Sequence, residues 1–210
     1  MFNSQILLKM KKVVNFQMLA AILMVAMMSF AGCKKDNGGN DPEDPNNPGG
    51  TSTETFKIKQ ATIEYDLLEG LMHETLIFDD NGKKMRLEDE YHIYLLDENA
   101  KKSYDLNKSS KTYEEKDLAF GQGKRKTYIM TINDANFASA GYKKTTETIA
   151  GKSCTVYTGG TSSKTVSYGT WNDIVFLMTL DGGDVMRATS FSDAAVAASS
   201  FTIPSDYTKK

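Results

Sequence analysis

Cysteine is scarce: the chain of 210 residues has two, Cys33 and Cys154, so no disulfide framework is available to it. Histidine is equally sparse, with His73 and His92 alone, and neither has a Cys or His at metal-ligand spacing. A formal net charge of −2 leaves no excess of either sign, which argues against a nucleic-acid partner. Of four prolines, three (Pro42, Pro45, Pro48) fall before residue 50, and the single tryptophan is Trp171. No apolar run reaches the roughly 20 residues that a membrane-spanning helix needs. The longest, Met18 to Met28, has eleven. Also missing are a serine nucleophile elbow, a glycine-rich phosphate loop and a Cys/His pair, so neither a catalytic constellation nor a cofactor site is expected.

What is present begins with a leader. Lys9, Lys11 and Lys12 precede the Met18–Met28 run, and Phe30-Ala31-Gly32-Cys33 follows it. Basic residues, a short apolar core and small residues at the exit form the anatomy of an export signal. The segment resembles the lipobox of bacterial lipoproteins, with Phe30 where leucine is usual. The resemblance implies cleavage before Cys33 and a thiol that carries diacylglycerol. Each buried CH₂ contributes about 0.8 kcal/mol, so two or three acyl chains hold a protein stably at a membrane. Residues 34–50, KKDNGGNDPEDPNNPGG, lack any aliphatic or aromatic side chain and read as a flexible spacer. The expected organisation is therefore a signal over 1–32, a lipidated Cys33 with spacer over 33–50, and one β-rich domain over 51–210. Removing three leader lysines makes the remainder more acidic than the whole chain.

From residue 55 onward β-formers dominate, and all ten tyrosines lie there. Turn residues divide this region into strands at Thr55–Leu67, Met72–Phe78, Lys84–Glu90, Tyr91–Leu96, Lys102–Leu106 and Lys111–Lys116. After Gly121-Gln122-Gly123, read as a break, strands resume at Lys126–Ile132, Tyr142–Ile149, Ser153–Thr158, Lys164–Tyr168, Ile174–Leu180 and Val185–Phe191. Asn81-Gly82 is a strong hairpin signal, and Ala150-Gly151, Gly159-Gly160 and Gly182-Gly183 mark further turns. Asn133-Asp134 opens a short helix closed by Gly141. Ser192-Asp193 caps a second over Ala194–Ser199, before an apolar strand ended by Pro204. The fold expected is mainly β with short helices (α+β). It is a large curved antiparallel sheet, an open half-barrel with one or two short helices on its concave side, because twist accumulates across such a sheet.

Within the C-terminal third, Glu147-x-x-Ala150-Gly151-x-x-Cys154, Trp171-Asn172-Asp173-Ile174 and Phe201-x-x-Pro204 occur in order. These resemble Bacteroidota lipoproteins related to the Lol lipoprotein carrier and its outer-membrane receptor. The resemblance implies an incomplete barrel whose concave surface takes up acyl chains, and a location at the outer membrane, facing the periplasm or the cell surface. Trp171, Tyr94, Phe78 and Tyr128 are the candidate ligand-binding residues, although such aromatics can as well fill a concavity as line one. Cys154, in a strand-like run, is expected to be buried, and Asp79-Asp80-Asn81-Gly82 is a turn and not a calcium loop. Glu88 and Glu90 are placed together on an exposed strand face. The chain thus reads as a membrane-tethered, non-enzymatic protein that binds a hydrophobic ligand or another envelope component. The alternative is an accessory that acts through protein contacts alone.

Overall fold

The computed structural model describes residues 55–161 and 163–210. The leader, Cys33 and the spacer lie outside them. The described part is mainly β: twelve strands form one open sheet in the order β12-β6-β5-β4-β3-β2-β1-β11-β10-β9-β8-β7. The first six, β1 (Ala61–Leu67), β2 (Met72–Asp79), β3 (Lys84–Glu88), β4 (His92–Asp97), β5 (Lys102–Asn107) and β6 (Thr112–Lys116), pair in succession through tight turns. So do β7 (Lys143–Ile149), β8 (Lys152–Thr161), β9 (Lys164–Trp171), β10 (Ile174–Leu180) and β11 (Gly183–Ser192). Antiparallel pairing of β1 with β11 joins the two runs. Only β12 (Thr208–Lys209) runs parallel to its neighbour, β6.

Between β6, next to one edge, and β7, at the other, come α1 (Leu118–Lys126) and α2 (Asp134–Ser139). Side chains alternate across a strand, so the register puts Ala61, Phe78, Met85 and Leu96 in one row and Ile63, Leu76, Leu87 and Tyr94 in the next. Helix α1 packs over the β4–β5 end of this face, which holds the main core. On the opposite face a smaller core forms from Ile93, Leu95, Leu106 and Tyr207, with Tyr104, Tyr113 and Ile203 against it.

Several element boundaries differ from those expected from the sequence. The Gly121-Gln122-Gly123 break is the middle of α1. Asp117 caps that helix by accepting from the Phe120 N–H at 2.8 Å, and Lys124, Arg125 and Lys126 occupy its last turn, where cations suit the helix dipole. Gly121 is needed for closeness, not for a turn: a Cβ there would lie 2.9 Å from Leu96 and Ser103. The strand expected over Lys126–Ile132 reduces to one bridge, Ile129 to Ile174, because Tyr128 and Met130 bond across to Val175 and Asp173.

Strand β1 starts at Ala61, not Thr55, because the Asn81 side chain donates to the carbonyls of Phe56 and Ile58 and ties that stretch to the turn before β3. Gly159-Gly160 lies inside β8, where the Tyr142 ring sits so close over Gly159 that a Cβ would approach it to 2.6 Å. The C-terminal helix shrinks to a 3-10 turn at Ala198–Phe201, and the last strand falls after Pro204, at Thr208–Lys209, not before it. The short helix opening at Asn133-Asp134 is present, with Asn133 accepting from the Asn136 N–H at 3.1 Å.

Candidate functional site

Glu74 lies on β2 in phase with Leu76 and Phe78, so its carboxyl points to the same face as the main core. It faces Tyr65 across the β1 pairing. The Tyr128 hydroxyl donates to it. Tyr128, just beyond α1, is 2% exposed and packs its ring 5.4 Å from that of Tyr65. The Tyr65 hydroxyl in turn donates to the Val175 carbonyl at 2.9 Å. Burial holds the Glu74 carboxyl above the usual carboxylate range; the Tyr128 hydrogen bond and the Lys124 ammonium pull the other way, and Asp89 adds to the rise. Two strands away on the same face stands Tyr94, half-buried, with Lys124 Nζ 3.9 Å above its ring and Phe120 at 5.9 Å. His92 stacks on Tyr94 at 5.5 Å and contacts Asp105 at 2.7 Å. Burial, together with Asp105, Asp89 and Glu74, pushes the Tyr94 phenol up.

The four candidate aromatics therefore divide. Tyr94 and Tyr128 share the surroundings of Glu74. Phe78 is wholly buried and stacks on Phe56 at 4.0 Å. Trp171 closes β9, half-buried, with Phe191 at 5.2 Å and Phe176 at 6.0 Å. Lys152 Nζ lies 4.8 Å from its ring centroid and 4.3 Å from that of Phe191, a cation–π arrangement.

Cys154 is buried, as its strand-like surroundings implied, and burial pushes its thiol up to about 11. His73 contacts Asp66 at 2.6 Å on an exposed surface. Glu88 pairs with Arg86 at 2.5 Å and Lys108 at 2.8 Å. Glu90 is not beside it on a strand, since β3 ends at Glu88 and Asp89 accepts from the Tyr91 and His92 N–H groups in the turn. Among the described residues, no group of three or more His, Cys, Asp or Glu is placed to hold a metal ion.

Three residues here escaped the sequence reading. Glu74 was detectable, as a charge in the apolar phase of a strand. Lys124 and Arg125 were hidden by reading the neighbouring glycines as a break. Arg125 is 1% exposed, donates to the Gly82 carbonyl at 2.9 Å and pairs with Glu98 at 2.9 Å. It pins the end of α1 to the turn between β2 and β3.

The half-buried Glu74 acid has a measurable consequence. An acid whose folded-state value is raised favours folding while protonated, so stability falls as pH rises from the ordinary carboxylate range through the folded-state value, and levels off above it. Glu74→Gln is expected to remove that slope. Urea midpoints from about pH 4 to about pH 8 measure it; a variant with an unchanged slope would place the acid elsewhere.

No protein-family model and no curated protein matches the chain. Among solved structures, PNGF-II in one of its crystal forms aligns at 16% identity over 73% of this chain and 32% of its own, with a TM-score of 0.40. The chain thus spans about a third of PNGF-II, 32% of it. An uncharacterized conserved protein from Thermus thermophilus aligns at 9% identity over 72% of this chain and 88% of its own, with a TM-score of 0.43.

Proposed function

We propose that this protein is an exported lipoprotein, anchored through Cys33 at the outer membrane, whose β-rich domain works by contact with another envelope component and not by catalysis or by taking up an acyl chain. The observation that carries this reading is the filling of the main core. Phe78 and Tyr128, two of the aromatics that a lipid would need, are buried against Phe56 and Tyr65. In our reading the sheet is an open half-barrel with α1 and α2 on its concave side, in keeping with the resemblance to Lol-type lipoproteins. Its interior is occupied by its own side chains, so contact with other molecules falls on its outer surfaces. The leader, the lipobox and the apolar-free spacer support the tether, since together they place a folded domain at a membrane surface without a spanning helix.

The anchor is tested by growing cells with a fatty-acid probe. Labelling of the protein and its recovery with membranes are expected, with both lost in Cys33→Ser. An unlabelled natural chain, or a labelled Cys33→Ser chain, would contradict the anchor.

A further inference from the structure

Beyond β11 the chain runs across the outer face of the sheet. Ser192 pairs with Thr62 on β1, and Arg86 on β3 reaches the Ser200 carbonyl at 3.4 Å. The last residues end beside β6, where the Thr208 N–H donates to the Lys111 carbonyl at 2.9 Å and the Lys210 N–H to the Tyr113 carbonyl at 3.0 Å. Residues 202–210 thus form a strap that covers a sheet edge and the smaller core together.

Its attachment is slight. Ile203 and Tyr207 are the apolar anchors on Ile93, Leu95 and Leu106. Two backbone hydrogen bonds complete a parallel pairing of two residues. The ion pairs Lys111–Asp206 at 3.2 Å, Lys209–Glu115 at 3.4 Å and Lys210–Glu114 at 3.3 Å join side chains that are 40% exposed or more, where such pairs contribute little. Segments with few buried contacts open far more often than the whole fold does.

We propose that the strap is a displaceable cover and that the groove beneath it is the protein's interaction surface. Its occupant is an extended segment of a partner protein that adds to β6 as a strand. The groove states the chemistry it accepts. The Lys111 and Tyr113 carbonyls receive the segment's N–H groups, the patch of Ile93, Leu95 and Leu106 receives an aromatic side chain, and the Glu114 and Glu115 carboxylates receive basic residues that follow it. The strap meets these demands with Tyr207, Lys209 and Lys210. An uncovered edge strand beside an apolar patch is a ready template for strand addition, so a cover that yields only to a matching segment also protects against unspecific pairing. The inference rests on the contact-based function proposed above.

Two measurements on the full chain test it. In hydrogen exchange, the Thr208 and Lys210 amides are expected to exchange at least about 100-fold faster than those of the central strand β2; equal protection would overturn the proposal. The second uses a fluorescent peptide of residues 202–210. Full-length Tyr207→Ala, whose own strap is loosened, is expected to bind the peptide one to one, at least about tenfold more tightly than the unaltered chain, because a tethered strap competes at high effective concentration.

A peptide with both terminal lysines changed to glutamate is expected to bind at least about tenfold more weakly. No binding, or binding indifferent to that reversal, would overturn the proposal. A dimer of the unaltered chain that disappears on removal of residues 202–210 would overturn it too, since the occupant would then be a second copy. Exchange on the unaltered chain stands even if a variant fails to fold. Because neither readout involves Cys33 or the main core, failure here is distinct from failure of the tether or of the filled interior.

Discussion

Arg125→Ala is expected to destabilise the domain by about 3 kcal/mol, the lower end of the range for removing one partner of a buried ion pair. Arg125 is almost fully buried and bonds both the Gly82 carbonyl and the Glu98 carboxylate. Burial alone would raise the Glu98 acid, but the hydrogen bonds from Arg125 and Gln122 outweigh it and hold the acid below its usual range. Without Arg125, that carboxylate stays in partly dry surroundings with only Gln122 to donate to it, and the Gly82 carbonyl loses a donor. The lower end applies because the Glu98 side chain keeps 12% exposure and can draw in water.

The Nε of Arg125 is buried with no hydrogen-bond partner among the described residues. A methionine of similar length therefore gives up less than the charge count suggests. Arg125→Met combined with Glu98→Gln is expected to recover at least half of the loss, since no charge is then left unpaired. Urea unfolding of the three chains measures this. A single variant within about 0.5 kcal/mol of the natural chain would mean that α1 is held by its apolar contacts alone.

Phe78→Ala is expected to cost about 3–5 kcal/mol, the usual range for truncating a buried phenylalanine. The ring has no exposed surface and stacks on Phe56, and its cross-strand neighbours are Ala61 and Met85. Alanine at 61 cannot grow into the space, and Phe56 is itself held against Gly82, where a Cβ would come within 2.5 Å of its ring. The cavity therefore stays open and the loss sits toward the upper end. Trp171→Ala, at a half-buried position, is expected to lose less despite the larger side chain, because part of its ring is already in water. The comparison separates two roles for the aromatics. A residue that packs the interior costs stability when truncated, whereas one that lines a binding surface costs affinity and leaves the unfolding midpoint nearly unchanged.

Most of the strand ladder was legible because its signals are local. Asn81-Gly82, Ala150-Gly151 and the alternation of Ile63, Tyr65, Leu76 and Phe78 each depend on a few adjacent residues. The β7–β8 hairpin, the helix at Asn133-Asp134 and the burial of Cys154 were readable for the same reason. The failures share a different cause, contact between residues far apart in the chain. Gly121 looks like a helix breaker until Leu96 and Ser103 are seen to leave no room for a Cβ. Gly159 looks like a turn until Tyr142 covers it, and the 55–60 stretch looks like strand until Asn81 binds its carbonyls.

Pro204 ends nothing in the sheet, because the last strand forms beyond it on an edge built from the distant β5 and β6. In the candidate site, Tyr94 and Tyr128 were readable as aromatic stock, but the bond from Tyr128 to Glu74 depends on the crossing from α1 to β10 that seats Tyr128. No local pattern encodes that crossing.

A domain held at the envelope by lipid is expected to keep no acyl chain inside it. Native mass spectrometry of the full chain carrying Cys33→Ser, purified in the presence of extracted envelope lipids, tests this most directly. The mass of the chain alone is expected, with any adhering lipid lost at low activation energy. A stoichiometric lipid that survives activation, and is released by Phe78→Ala or Tyr128→Ala, would contradict it.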